Sequence, residues 1–123
     1  GAVFDRPPLE RRDVAVVMCD VDGLKTVNDT EGHAAGDDLL VQAATALREA
    51  AATVDGSTVC RIGGDEFCVI LDGGGLLSAR PVTDLALRLF ARTGADRSLS
   101  CGIALADTDM TTPGDLLRAA DEA

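Results

Sequence analysis

Hydrophobic residues recur along the chain with two periods, one typical of strands and one typical of helices. In chain order, the predicted elements are a strand over residues 13–20, a short helical turn over 24–29, a helix over 34–54, strands over 57–62 and 67–71, a helix over 76–93, a strand over 98–106 and a last helix from Thr112. One face of the first long helix is apolar and carries Leu40, Ala43, Ala44, Leu47 and Ala51. Pro81 predicts an irregularity near the start of the second long helix.

The order of these elements predicts an α+β fold with a ferredoxin-like βαββαβ core, in which helices pack on an antiparallel sheet and a further C-terminal helix follows. Residues 1–12 contain two prolines and no periodicity, so we interpret them as the lead-in to one domain over residues 1–123. In this fold the first and third strands pair antiparallel at the centre of the sheet. Asp20 is therefore expected beside Asp65 and Glu66.

Charge and composition restrict the possible partners. The net charge is −10 and aromatic residues make up 2% of the chain. These values argue against a duplex-binding face and against a stacking platform for single strands, so no nucleic-acid partner is expected. An acidic protein that binds a polyphosphate needs local positive charge, which divalent cations supply.

The cysteines and the absence of long apolar runs indicate the compartment. Cys19, Cys60, Cys68 and Cys101 lie in apolar runs without the close pairing of a zinc site, so buried free thiols in a reducing compartment are expected. No apolar run approaches the ~20 residues of a membrane helix, and the N-terminus does not resemble a signal peptide. The prediction is a cytoplasmic domain, free or as the cytoplasmic part of a larger membrane-associated protein.

The first acidic cluster is Asp20-Val21-Asp22-Gly23-Leu24-Lys25, followed by Asn28 and Asp29. Acids that face each other are unfavourable unless a cation neutralises them, and hard oxygen ligands favour Mg²⁺. Such ions are typical of phosphoryl chemistry, and the turn after Asp22 offers backbone N–H groups and one ammonium to a phosphate. A solvated strand-to-helix turn explains this cluster alone equally well.

Two other motifs compete for the same residues. An EF-hand loop that started at Asp20 would need glycine at its sixth position, where the chain has Lys25. The run that starts at Asp20 also resembles the nucleophile motif of haloacid-dehalogenase-type phosphatases. Those enzymes carry a second acidic pair after a long α/β stretch, and Gly36-Asp37-Asp38 comes too early for that role.

The second cluster is Gly63-Gly64-Asp65-Glu66-Phe67, which joins the two β-rich runs. It predicts a hairpin whose glycines adopt the positive φ of tight turns and leave room for a ligand near the backbone. The pentapeptide resembles the signature of GGDEF-domain diguanylate cyclases. The upstream motifs Asp20-x-Asp22-x-x-Lys25-x-x-Asn28-Asp29 and Gly32-His33-x-x-Gly36-Asp37 are similar to the same family in order and spacing, and the resemblance extends from about Val14 to Ala123.

The resemblance implies a nucleotide-cyclase-like fold and a role for each matching residue. The implied metal ligands for Mg²⁺ or Mn²⁺, with two ions per site, are Asp20, the carbonyl of Val21, and Asp65. The implied phosphate contacts are Gly23, Leu24 and Lys25, and the implied guanine contacts are Asn28 and Asp37. Gly63 and Gly64 are implied to lie against the substrate, and Glu66 to help activate the attacking hydroxyl or to assist the metals.

The implied reaction condenses two GTP molecules into cyclic di-GMP and two pyrophosphates, in a homodimer of GTP-loaded domains that an N-terminal regulatory domain controls. Two alternatives remain. One is a GTP-binding sensor module that forms no product, and the other is a purely structural dimerisation domain.

Three departures from the family pattern lead to further expectations. The D-x-L-T-G-L-x-N-R segment with which the family usually begins is not found before Phe4. The basic phosphate-binding helix end and the last strand, with which the family usually finishes, are not found before Ala123. Residues 1–123 alone are therefore expected to bind GTP poorly. The position of the inhibitory R-x-x-D motif holds Val54-Asp55-Gly56-Ser57, so no tight product binding is expected there. His33, the single histidine, is expected to be structural and not a general base.

Overall fold

The protein is described by a computed structural model, which covers residues 14–72, 75–94 and 96–105. Its elements are β1 (Val14–Val21), α1 (Leu24–Glu31), α2 (His33–Ala51), β2 (Ser57–Arg61), β3 (Glu66–Asp72), α3 (Gly75–Ala91) and β4 (Leu99–Leu105). The predicted lead-in and the predicted last helix lie outside the described residues. Among the described helices, none combines the length and the apolar character that a membrane span requires.

The four strands form one antiparallel sheet in the order β2-β3-β1-β4. This is the predicted α+β, ferredoxin-like arrangement, with β1 and β3 paired at the centre. Both β3 and β1 have a hydrogen-bonded neighbour on each side, and β1 is the more buried of the two. The apolar run of β1 fits this position, because both faces of the strand are largely buried.

The core lies between one face of the sheet and the helices α2 and α3. Leu39, Leu47 and Phe90 are among its largest fully buried side chains. Four of the five predicted face residues of α2 are buried, while Ala44 is only partly buried. Alanines at the other positions let α2 pack closely against the sheet.

Helix boundaries differ from the predicted ones for local reasons. α1 continues two residues further than predicted and ends at Glu31. The next residue is Gly32, whose N–H donates to the carbonyl of Asn28 and whose φ of 92° stops the helix. α2 ends at Ala51 and not at residue 54, because Thr53 bonds back to the Ala50 carbonyl through its N–H and its hydroxyl.

Pro81 lies inside α3 and does not interrupt it. Proline removes the hydrogen bond to the carbonyl four residues earlier. That residue, Leu77, is 88% exposed, so water can reach its carbonyl.

The predicted positive φ at Gly63 and Gly64 is wrong. Among the described residues only Gly23, Gly32 and Gly56 have positive φ. The hairpin loop runs from residue 62 to 65, which is long enough to reverse the chain without a left-handed residue.

Candidate functional site

The ends of two central strands bring three carboxylates together. Asp20, near the end of β1, is the register partner of Glu66, the first residue of β3. The N–H of Val21 donates to the carbonyl of Asp65 at 2.8 Å, which ties the hairpin loop to β1. Carboxylate oxygens of Asp20, Asp65 and Glu66 all lie within 4.8 Å of one another. The predicted meeting of the two acidic clusters is therefore confirmed.

The donor set fits a divalent cation of the magnesium type. Asp20 and Glu66 are half-buried and Asp65 is exposed, so the cluster opens to solvent at one side. Ionised carboxylates at this separation repel each other, and a cation bound between them removes the repulsion. Oxygen ligands from a few carboxylates, with sites left for water and phosphate, are the usual protein environment of Mg²⁺.

The hairpin that carries Asp65 is held by an arginine side chain. Arg61, the last residue of β2, donates from Nε to the carbonyl of Gly63 at 3.0 Å and from Nη2 to the carbonyl of Gly64 at 2.8 Å. A Cβ built on Gly64 would meet no atom within 4 Å, and one on Gly63 would meet only the Glu66 Oε2, at 3.9 Å. Both glycines thus leave their outer face open, as predicted, while Arg61 fixes their carbonyls.

Gly23 lies in the turn from β1 into α1, and Leu24 and Lys25 are the first two residues of α1. Gly23 has a φ of 77° and is the N-terminal boundary residue of α1, without a side-chain cap. The first N–H groups of a helix have no partner inside it, and the helix dipole favours an anion there. Lys25 and Gly23 are exposed, and Leu24 is half-buried.

Asp22, which the sequence prediction left out of the site, connects this turn to β4. Its Oδ2 accepts a hydrogen bond from the hydroxyl of Ser98 at 2.7 Å, and its Oδ1 accepts one from the hydroxyl of Ser100 at 2.7 Å. Its backbone N–H donates to the carbonyl of Ser98 at 3.1 Å. The serines follow Asp22 by 76 and 78 residues, so no local pattern could have indicated the contact.

Asn28 and the start of α2 lie in close contact. A Cβ built on the buried Gly36 would overlap Oδ1 of Asn28, would lie 2.9 Å from its Cγ and would come within 3.4 Å of Leu24 Cδ1. Glycine at position 36 therefore lets the Asn28 side chain lie over the backbone of α2, one residue before Asp37. The two predicted guanine contacts are on adjacent elements at this point.

Asp37 also borders a cavity of about 340 Å³. The cavity extends from α2 to the hairpin and is lined by Asp37, Leu40, Val41, Ala44, Arg48, Arg61 and Phe67. Its walls are mainly apolar, with one carboxylate and two guanidinium groups, which is a composition that can hold a flat polar ring.

Two thiols lie beside the acidic cluster. Cys19 and Cys101 are register partners on β1 and β4, and their sulfurs are 3.3 Å apart. The hydrogen bond between them and burial raise the pKa of the Cys19 thiol, whereas the same hydrogen bond lowers the pKa of Cys101. All four cysteines are free, but Cys60 and Cys101 are half-buried and not fully buried as predicted.

The remaining predicted positions lie away from the carboxylates or on the surface. His33 is the first residue of α2 and is exposed. In the segment at 54–57, the expected position of the R-x-x-D motif, residues 54–56 form the turn before β2, with Gly56 at a φ of 79°, and Ser57 begins β2.

Comparison with known proteins identifies the family that the sequence motifs resemble. The family model described as "Diguanylate cyclase, GGDEF domain" matches residues 4–123. The diguanylate cyclase TpbB of Pseudomonas aeruginosa is 37% identical over 121 residues, which are 92% of this chain and 27% of TpbB. An uncharacterized protein in the hutH 5′ region of Streptomyces griseus is 36% identical over 104 residues, which are 82% of this chain and 42% of that protein.

A solved structure supports the fold over nearly the whole length. The GGDEF domain of TpbB from Pseudomonas aeruginosa aligns with a TM-score of 0.83 at 33% identity, over 99% of this chain and 80% of that one. The chain spans less than half the length of the two curated relatives named above. From the family match, the shared fold and the Gly63–Phe67 hairpin beside Asp20, the chain belongs to the GGDEF domain family of diguanylate cyclases.

Proposed function

We propose that this domain is a diguanylate cyclase, which condenses two GTP molecules into cyclic di-GMP and releases two pyrophosphates. The observation that carries the proposal is the convergence of Asp20, Asp65 and Glu66 within 4.8 Å, at the end of the sheet where the turn into α1 begins. We place the domain in the cytoplasm, where GTP is available, under the control of a regulatory segment elsewhere in the protein.

Asp20, Asp65 and the carbonyl of Val21 would hold the metal ions. Bound Mg²⁺ or Mn²⁺ would neutralise charge on the phosphates and stabilise the pyrophosphate that leaves. The half-buried setting of Asp20 and the hydrogen bond from Val21 to Asp65 keep two of these ligand groups in a fixed relation before substrate arrives.

The triphosphate would lie at the N-terminus of α1. Gly23 and Leu24 offer N–H groups there, and the exposed Lys25 offers an ammonium. The base would lie toward Asn28 and Asp37. The carboxylate of Asp37 can accept hydrogen bonds from N1–H and the N2 amino group of guanine, whereas adenine presents an acceptor at N1.

The reaction needs a base and a second domain. Each 3′-hydroxyl oxygen forms a bond to the α-phosphorus of the other nucleotide, and the bond from that phosphorus to its bridging oxygen breaks. Glu66, half-buried beside Asp65, is the group we assign to accept the hydroxyl proton or to orient the ligand carboxylates. Because one domain holds one GTP, two copies must meet face to face for both bonds to form.

The test is nucleotide product analysis on the full-length protein with Asp65→Asn and Glu66→Gln variants. We expect cyclic di-GMP from the wild type and at least a ~100-fold lower rate from Glu66→Gln, in the range of a lost general base. Asp65→Asn should also lose the metal dependence of GTP binding, measured by calorimetry with and without chelator.

Asp55→Asn is the matched control, because Asp55 is an exposed acid in the turn before β2 and lies outside the carboxylate cluster. It should retain full activity. Wild-type protein that binds GTP equally well with and without chelator would contradict the metal assignment, and wild-type protein that forms no product would contradict the cyclase.

A further inference from the structure

Both carboxylate oxygens of Asp22 contribute to its contact with the start of β4. Each of its two oxygens accepts one serine hydroxyl, at 2.7 Å in both cases. Hydrogen bonds to an ionised acceptor are shorter and stronger than neutral ones. With the backbone bond from Asp22 to Ser98, three hydrogen bonds join one residue to the start of β4. We call this set, Asp22 with Ser98 and Ser100, the serine clamp.

The geometry separates Asp22 from the metal cluster. Asp20, two residues earlier, belongs to the group of carboxylates that could share an ion, and among the described residues Asp22 is not a member of that group. The two hydroxyl bonds direct the Asp22 carboxylate toward β4 instead.

Leu24 packs against the core, but the preceding part of the turn, Asp22 and Gly23, is more open. Asp22 and Gly23 border a cavity of about 480 Å³, so side chains do not pack tightly against this side of the turn. Gly23 has a φ of 77° and α1 begins without a side-chain cap, so neither steric restriction nor capping fixes the direction of the first N–H groups. The serine clamp anchors the start of the turn to the sheet.

We propose that Asp22 is a positioning residue that orients the phosphate-binding turn through Ser98 and Ser100 and is not a metal ligand. The inference rests on the proposed function, because it assumes that the N–H groups after Asp22 receive the triphosphate. It adds to that function three residues, namely Asp22 just after β1, Ser98 just before β4 and Ser100 in β4, whose effect on substrate passes through the backbone of residues 23–25.

The first experiment measures the turn without substrate. Hydrogen exchange of the backbone amides of Asp22 and Val27, which donate to the carbonyls of Ser98 and Gly23 and so report on the turn, is compared between wild-type full-length protein and the double variant Ser98→Ala with Ser100→Ala. We expect exchange in the turn to become at least about tenfold faster, as for the loss of two hydrogen bonds to a charged group. Unchanged exchange would overturn the serine clamp, whatever nucleotide the protein binds.

The second experiment measures GTP and metal separately. In the same double variant, the Kd for GTP with Mg²⁺ should rise about tenfold. The Mg²⁺ concentration that gives half-maximal product formation at saturating GTP should stay within twofold of the wild-type value. Asp22→Asn and the double variant should be non-additive when combined, because they remove the same interaction. Ser98→Thr retains the hydroxyl and should therefore keep most of the GTP affinity that Ser98→Ala loses.

Thr45→Ala is the matched control, because Thr45 donates its hydroxyl to the Val41 carbonyl on the exposed side of α2, away from the turn. It should leave the Kd for GTP unchanged. A shift in the Mg²⁺ dependence in Asp22→Asn, with no effect of the serine substitutions, would make Asp22 a metal ligand and refute the proposal. If the wild type binds no GTP with Mg²⁺, the proposed function fails, and the exchange data still decide whether the serine clamp orders the turn.

Discussion

At the scale of single residues, Asp37 shows how a position is given two possible roles by its place in a helix. It is exposed in the second turn of α2 and borders the cavity of about 340 Å³ between α2 and the hairpin. An acid near the start of a helix also interacts favourably with the helix dipole. Base recognition and helix stabilisation therefore make different predictions for the same substitution.

Asp37→Ala should abolish the preference for GTP over ATP while the fold survives. A carboxylate that accepts both guanine donors rejects adenine strongly, so discrimination should fall by at least about tenfold. The measurement is competition between the two nucleotides with Mg²⁺ on the full-length protein. Asp38→Ala is the control, since Asp38 is the neighbouring exposed acid, has a similar dipole contribution and does not line the cavity. Equal losses in both variants, or an unchanged preference in Asp37→Ala, would remove Asp37 from the site.

At the scale of elements, the hairpin between β2 and β3 is the part of the fold that the acidic cluster depends on most. Its loop is closed by the N–H of Ile62, which donates to the Glu66 carbonyl at 2.8 Å, and by the two bonds from Arg61 to glycine carbonyls. Since Gly63 and Gly64 have ordinary φ values, the loop shape comes from these bonds and not from a left-handed glycine.

Arg61→Ala should loosen the hairpin without unfolding the sheet. The loss of two exposed hydrogen bonds should lower the free energy of unfolding by only ~1 kcal/mol, whereas hydrogen exchange in the loop should accelerate. GTP affinity with Mg²⁺ should fall, because Asp65 is carried by the same loop. Arg48→Ala serves as the control, since Arg48 lines the same cavity from α2 and does not contact the loop carbonyls. Loop exchange equal to that of the wild type would show that Arg61 does not hold the hairpin.

At the scale of the whole molecule, thiols inside the sheet couple its stability to alkaline pH. Cys68 is 2% exposed, and burial together with the neighbouring Cys60 raises its pKa to about 11. The folded state thus keeps this proton where the unfolded chain has lost it. Stability from this group is full below the unfolded pKa of about 9 and is lost as the pH rises through about 11.

Unfolding by urea in the presence of reductant should show this loss. Between pH 8 and pH 11 the wild type should lose ~2 kcal/mol more than Cys68→Ala, because the variant lacks the shifted group. Val69→Ala is the control, since Val69 is an equally buried β3 neighbour without a titratable side chain. The Val69→Ala substitution should lower the free energy of unfolding by the same amount at both pH values. A parallel decline in wild type and Cys68→Ala would contradict the assignment.

The sequence by itself determined the order of the elements, the sheet topology and the meeting of Asp20 with Asp65 and Glu66. The physical reason is that hydrophobic periodicity identifies the strands and helices, and the order βαββαβ leaves few ways in which the strands can pair. The motif around Gly63 was enough to indicate the family, because it combines residue types whose spacing is set by the site.

Only the tertiary structure decided the contacts that support the site. The hydroxyls of Ser98 and Ser100 reach Asp22 across more than 70 residues, and the side chain of Asn28 requires a glycine at position 36. Neither contact follows from a local pattern, because the first depends on how closely β4 approaches the end of β1 and the second on how closely α1 packs against α2. The φ angles of Gly63 and Gly64 were likewise decided by loop length and by Arg61, since a longer loop relieves the steric demand that a tight turn would make.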